Sequence, residues 1–429
     1  MTDQPAARER LPFSRWWLVA VAALAMGAAG TYQFVWSSIR GPLGSQVGAS
    51  EATLGTLFTL LIVAQTLSQF PAGWVRDRYG PRIPLLVGGL LLTAGYGAFA
   101  VASTAAIAAA AVVVGGSGAG TVYTVAVNTP VKWFDERRGL ATGIVTMTYS
   151  GLSVALIPAI RGGVAGTFQA SVVVLGGIVA AACLVAAFVV RDPGADGGAT
   201  TDEPDVDAES HATDIDAESH ATDVDAEPRT IDTESPQYGW REVVRTRQFW
   251  TLYVVFAVIN GVGLMLIEKA IAFAAGLGLS GGVATAAASV IAFGDSAGVI
   301  VGGGLADRFD PERTVGAALV LGAAAIVGAI VAGGAGVGVA FVVLVGAAAF
   351  FRSPAFAVFP GLVGEYYGTA HSSENYAVLY TGKLWGSVFG GAATSVLVAA
   401  LGWSQSFLLG AGLLVLAGLA MFSVRPVDR

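Results

Sequence analysis

The sequence predicts an all-α membrane protein of twelve transmembrane helices, arranged as two pseudo-symmetric bundles of six. Three observations carry this prediction. The 429-residue chain is 55% hydrophobic and only 12% charged, too little charge to clothe a water-soluble surface, and its mean hydropathy is +0.69. Twelve apolar runs are long enough to cross a hydrocarbon core about 30 Å thick, which takes roughly 20 helical residues. A Gly, three residues, then Asp-Arg recurs 230 residues apart, each time at the end of an apolar run. Such internal repetition is the mark of a chain built from two related halves.

The first run, 16–39, follows Arg8, Arg10 and Arg15 and leads into further apolar sequence, so it reads as a span and not a cleaved signal. Run 53–75 ends in the first charged loop, with Arg76, Asp77, Arg78 and Arg82, before run 83–102. Run 105–130 ends at Lys132, Arg137 and Arg138, and runs 138–160 and 166–190 complete an N-terminal bundle over residues 1–190. The lone cysteine, Cys183, lies inside the sixth run and excludes an internal disulfide. Run 248–268 follows Arg241, Arg245 and Arg247, and run 283–305 ends in the second charged loop with Asp307, Arg308 and Arg313. Runs 315–333, 337–361, 376–400 and 404–424 complete a C-terminal bundle over 248–429. The 58 glycines suit close helix packing in lipid.

The net charge of −7 hides the pattern that sets orientation. Residues 191–236 hold fifteen of the 30 acids and two of the 23 bases, which leaves 21 basic and 15 acidic residues elsewhere, an excess of +6. The basic residues gather at alternate loops, at the start, at the centre and at Arg425 and Arg429, whereas the other loops carry Arg40, Arg161 and Lys269. By the positive-inside rule the chain is a multi-pass protein of the plasma membrane with both termini cytoplasmic. The segment 191–247 is an acidic cytoplasmic loop with a nine-residue repeat at 205–213, 214–222 and again from Asp223. Without an aromatic residue before Tyr238 it buries too little surface to fold. His211 and His220 sit among its carboxylates, a pattern that reads as a solvated linker in preference to a metal site.

A charge at the bilayer centre costs about 2.5–3.5 kcal/mol on insertion scales, so each one needs a reason. Asp295, Arg352 and Lys383 lie about 18, 20 and 12 Å inside spans 8, 10 and 11 at 1.5 Å per residue. Glycines frame two of them: Gly294, Gly298 and Gly302 beside Asp295, and Gly382, Gly386 and Gly390 beside Lys383. Two cations against one acid leave an excess of about +1, which attracts an anion. The competing reading is a permanent Asp295–Lys383 or Asp295–Arg352 pair that ties helices together. Tyr32, Gln33, Trp36, Tyr123, Tyr380 and Trp385 complete the candidate substrate site, with Gln65, Gln69, Asn128 and Tyr149 near it. No H-E-x-x-H, cysteine cluster, G-x-S-x-G or Walker loop occurs, so no enzymatic, metal or cofactor chemistry has a visible site.

The paired loops, with Asp77, Arg78, Arg82, Asp307 and Arg308 as gating residues, resemble the loop signature of the major facilitator superfamily, G-x-x-x-D-R/K-x-G-R/K-R/K. Pro81 and Asp310 depart from it. Gly120 to Tyr123, Thr129 to Phe134 and 137–143 are similar to the fourth-to-fifth helix region of oxalate/formate antiporters and monocarboxylate porters. So are Phe359, Pro360, Gly361, Glu365 to Gly368, Asn375, Tyr376 and 380–383, and, in the first span, Gly30 to Tyr32, Trp36, Ser37, Pro42 and Leu43. The resemblance implies a fold that rocks between two open states and moves small carboxylates. It places Lys383 on a carboxylate-binding lysine and Asp295 on a proton-linked aspartate, while Val299 stands where the family has an arginine.

The resulting expectation is a monomeric secondary transporter of a small monocarboxylate by alternating access, proton-coupled through Asp295, with Lys383 and Arg352 holding the anion. Its partners are the carboxylate, protons and the bilayer, with no nucleic acid and no cofactor. The alternatives are an oxalate/formate-type anion antiporter, a proton-driven exporter of amphipathic compounds, and a non-transporting carboxylate sensor that signals through the acidic loop.

Overall fold

The computed structural model describes residues 14–134, 138–164, 167–192, 237–306, 308–368 and 372–425. Among them twelve helices are long and apolar enough to span a membrane. In chain order they are α1 (Trp16–Phe34), α2 (Glu51–Arg76), α3 (Arg82–Val101), α4 (Ala105–Pro130), α5 (Ala141–Gly163), α6 (Phe168–Val189), α7 (Arg247–Gly276), α8 (Gly281–Ala306), α9 (Pro311–Gly334), α10 (Gly338–Tyr367), α11 (Asn375–Leu401) and α12 (Trp403–Met421). Helices suit this setting because each satisfies its own backbone polar groups where no water can. An even number of spans puts the start of α1, the link between α6 and α7 and the end of α12 on one side, the terminal face.

Two boundaries differ from the hydropathy reading. The first run bends at Val35 and continues as a helix, Trp36–Val47, which carries Arg40 inside the protein and not in a loop. The seventh continues to Gly276, so Glu268 and Lys269 are helical and fully buried. Apolar runs mark where lipid-facing sequence ends; they do not mark where a helix buried by its neighbours ends.

Packing within each half runs α3 on α4 and α6, α1 on α5, α8 on α10, and α9 on α10 and α12. The halves meet where α5 packs on α8, α2 on α11, and the Trp36–Val47 helix on α7. Glycine seams permit the closest approaches. A Cβ at Gly294 or Gly298 would strike the backbone carbonyls of Gly346 or Phe350 on α10, and one at Gly386 or Gly390 would strike α7 around Asn260 and Gly261. α11 also contains a π-turn, Phe389–Ala393.

Each end of the central link is pinned at the terminal face. Asp192 pairs with Arg76 at 3.3 Å and Lys132 at 2.8 Å, and the Tyr238 backbone N–H donates to the Tyr367 carbonyl at 2.9 Å. The acidic repeat with His211 and His220, the side chain of Asp77, and Asp307 lie outside the described residues. Of the other gating candidates, Arg78 lies over the Trp74 and Tyr79 rings, and Arg82 over Phe188 at 4.9 Å.

Candidate functional site

A cavity of about 140 Å³ lies between the halves, lined from α1, α4, α5, α7, α8, α10 and α11. It brings together Gln33, Tyr123, Asp295, Arg352, Tyr380 and Lys383 from the sequence-based candidates. It does not bring in the other three. Tyr32 is buried in the N-terminal half, where its hydroxyl donates to the Ala111 carbonyl at 2.7 Å. Trp36 is enclosed beside Phe58 and Phe99. Trp385 is 66% exposed on the outer surface of α11. Tyr32 and Trp385 share a helix with a residue of the cavity, but a turn of about 100° per residue separates neighbours, and Trp36 lies beyond the bend at Val35.

Asp295 is held from two sides. Arg352 Nη2 donates to its Oδ1, and Ser353 Oγ donates to the same oxygen at 2.5 Å. The guanidinium also lies over the Phe356 ring, 5.6 Å from its centroid. Space for it exists because residue 263 on α7 is glycine: a Cβ there would overlap the guanidinium carbon. Gly263→Ala should therefore displace Arg352 and weaken its hold on Asp295, measurable as a lower melting temperature that Gly263→Ala in an Asp295→Asn/Arg352→Gln background does not show.

Lys383 is different. Its side chain is 8% exposed and its ammonium faces the Tyr380 ring at 5.7 Å from the centroid. No hydrogen bond or ion pair joins it to another of the described residues. The three ionic groups of the cavity thus amount to one internally neutral Asp295–Arg352 pair and one ammonium without a counter-charge. Val299 lines the same wall and adds no charge.

The rest of the wall is polar on the α1–α5 side and apolar toward α7. Tyr149 donates to Gln33 Oε1 at 3.0 Å and receives a hydrogen bond from Gln65 Nε2. Asn260 donates to the Phe256 carbonyl at 2.9 Å, and Leu264 and Ile267 continue its helix face into the cavity. Tyr149 belonged to a plausible cavity on sequence but not to the candidate site, and Tyr376 lay in the stretch that resembles the porter family without being named as a site residue; Asn260 and Ser353 carried no signal that distinguished them from packing. Ser150 and Ser296 face each other across the halves at 2.5 Å, next to Asp295 in sequence.

A larger cleft of about 1430 Å³ opens toward the terminal face between α5, α8 and α10, with Arg308 and Glu365 at its rim. It shares Thr146, Met147, Val299 and Phe356 with the smaller cavity, so the site communicates with that face. On the opposite face the halves are joined: Arg161 donates to Thr285 at 3.2 Å, and Thr59 to the Ser387 carbonyl at 2.9 Å.

Comparison with known proteins agrees with this architecture. The "Oxalate:formate antiporter" of Oxalobacter formigenes is 29% identical over 427 residues, 97% of this chain and 94% of that protein. The "Uncharacterized MFS-type transporter YhjX" of Escherichia coli (strain K12) is 26% identical over 388 residues, 87% of this chain and 86% of its own length. A solved bacterial homolog of the human lysosomal transporter Spinster, inward-facing and unoccupied, superimposes with a TM-score of 0.70 over 97% of this chain and 98% of its own, at 15% identity, a likeness of fold alone. The profile of the Major Facilitator Superfamily matches residues 18–274 and 255–429. Twelve spans in two halves around a central polar cavity, and a family match across both halves, place this chain in the major facilitator superfamily of membrane transporters, which are not enzymes.

Proposed function

We propose that this transporter carries a small organic monoanion, a monocarboxylate, and that Asp295 couples its movement to a proton. The observation that carries the reading is the lone ammonium of Lys383. A carboxylate seated on it forms a neutral pair, and charge-assisted hydrogen bonds are the strong ones. While Asp295 is ionised, a dianion would meet one free cation among the described residues of the cavity, because Arg352 is engaged by Asp295. Protonation of Asp295 would release Arg352 toward the substrate, so proton and anion favour each other's binding.

The terminal face is then cytoplasmic in the plasma membrane. Arg40 and Lys269 are buried inside helices, which strengthens the contrast between basic loops on that face and poor ones on the other. Binding of acetate, lactate, pyruvate, formate and oxalate to the purified protein tests the reading. Tightest binding of a monocarboxylate, with oxalate weaker, is the expected result, and a preference for oxalate over every monocarboxylate overturns it.

Exchange is the second reading, favoured by the relative from Oxalobacter formigenes. Proteoliposomes preloaded with unlabelled substrate, at equal pH on both sides, separate the two. A carrier that runs only as an exchanger shows no net uptake when empty, however steep the proton gradient.

A further inference from the structure

Four charged side chains that the cavity does not use form a closed ring near the face opposite the termini. Arg40 Nη2 lies 2.6 Å from Glu51 Oε2 at the start of α2, and Arg40 Nε lies 3.0 Å from Glu268 Oε1 on α7. Glu268 Oε2 lies 2.6 Å from Lys269 Nζ, which is 3.8 Å from Glu51 Oε2 and closes the circuit. Glu268 and Lys269 are 0% exposed and Arg40 is 3% exposed, whereas the Glu51 side chain is 47% exposed. Lys269 also donates to Ser395 on α11 at 2.9 Å.

The ring straddles the seam between the halves. Its signs alternate and sum to zero. The two edges at 2.6 Å, Arg40–Glu51 and Glu268–Lys269, each join residues of one half. The two longer edges, Arg40–Glu268 at 3.0 Å and Glu51–Lys269 at 3.8 Å, cross between the halves. Parting the halves on this face breaks only the crossing edges and leaves an intact neutral pair on each side.

That distribution matters because breaking a buried ion pair is costly chiefly when it strands a charge without a partner. Here neither the closed nor the parted arrangement strands one. We propose that Arg40, Glu51, Glu268 and Lys269 form a charge-neutral gate, closed as a ring and opened by division into two self-sufficient pairs. Its neutrality also lets an anion pass without being trapped, since each cation keeps its own carboxylate. The gate is independent of which substrate the central cavity takes. The face it closes is the one where Arg161–Thr285 and Thr59–Ser387 also join the halves, opposite the open cleft.

Two double variants test the division, both removing one charge of each sign. R40Q/E51Q deletes the pair of one half and leaves Glu268–Lys269 neutral, so the crossing attraction disappears and this face opens more readily. R40Q/E268Q leaves Glu51 and Lys269, which compensate each other only across the seam, so opening strands the buried Lys269 and the face is held shut. Spin labels on Ser45→Cys and Ala275→Cys in a Cys183→Ala background report the separation of the halves in the full-length protein. Relative to the unmutated ring, R40Q/E51Q gains a longer-distance population. R40Q/E268Q keeps only the short distance and loses transport by roughly tenfold or more. If both variants shift the distance in the same direction, or neither shifts it, the ring is merely a structural ion cluster and the gate is wrong.

Discussion

Lys383→Gln weakens acetate or lactate binding by roughly tenfold to a hundredfold, the equivalent of about 1.5–3 kcal/mol for a charge-assisted hydrogen bond. The protein itself does not suffer. Lys383 is a nearly buried cation with no counter-charge among the described residues, so its neutral replacement removes a desolvation cost and the unliganded variant melts at the same or a higher temperature. Arg352 gives the opposite result when changed alone. Arg352→Gln strands Asp295, which loses a partner it now holds through Oδ1, and destabilises by up to about 3–5 kcal/mol, the cost of a fully buried unpaired charge. Removing both charges in D295N/R352Q leaves no stranded carboxylate and keeps the single positive charge of Lys383, so this double variant still binds a monocarboxylate. Calorimetric titration of the three variants decides the matter. Wild-type affinity in Lys383→Gln, or complete loss of binding in the stable double variant, would show that Lys383 is not the anchor.

Asp295→Asn separates proton coupling from binding. The amide cannot take up and release a proton, and Arg352 is freed from its ionic partner, so the cavity carries a fixed excess of two positive charges where it carried one. Exchange of a monocarboxylate between equal-pH compartments continues. Acceleration of uptake by an inward proton gradient disappears, because the step that protonation drives no longer exists. Selectivity moves toward dianions, with oxalate gaining on acetate by about tenfold or more as the second cation becomes available. Uptake by D295N that still responds to the gradient as the wild type does would sink the coupling role and leave Asp295 as a tie between α8 and α10.

Much of the fold was legible because its signals are local. Hydropathy located all twelve spans, and the glycines spaced four apart on α8 and α11 read correctly as close-packing seams. Legibility failed where a helix is covered by protein and not by lipid. Arg40 and Lys269 interrupt apolar runs and so looked like loop residues; each is inside a helix, where a carboxylate from another part of the chain, Glu268 for Arg40 and Glu51 for Lys269, faces it. Within the candidate site, Gln33 reached the cavity while Tyr32 packs against Tyr96 and Phe99. Nothing in an isolated span distinguishes which of two adjacent polar residues turns inward, since that depends on the helix's rotation against its neighbours.

The sequence by itself determined the number of spans, the division into repeated halves, the charge of each loop and the presence of one acid and two bases deep in the membrane. These follow from composition and spacing along a single stretch of chain. Only the tertiary structure decided how those charges are paired. Asp295 and Arg352 are 57 residues apart and meet because α8 packs on α10, with Gly263 leaving room for the guanidinium. That one contact leaves Lys383, and not Arg352, as the cation free to hold an anion while Asp295 is ionised. The ring of Arg40, Glu51, Glu268 and Lys269 is decided in the same way, by two halves brought together. Charge is a property of a residue, but compensation is a property of its neighbours, and the neighbours are chosen by packing.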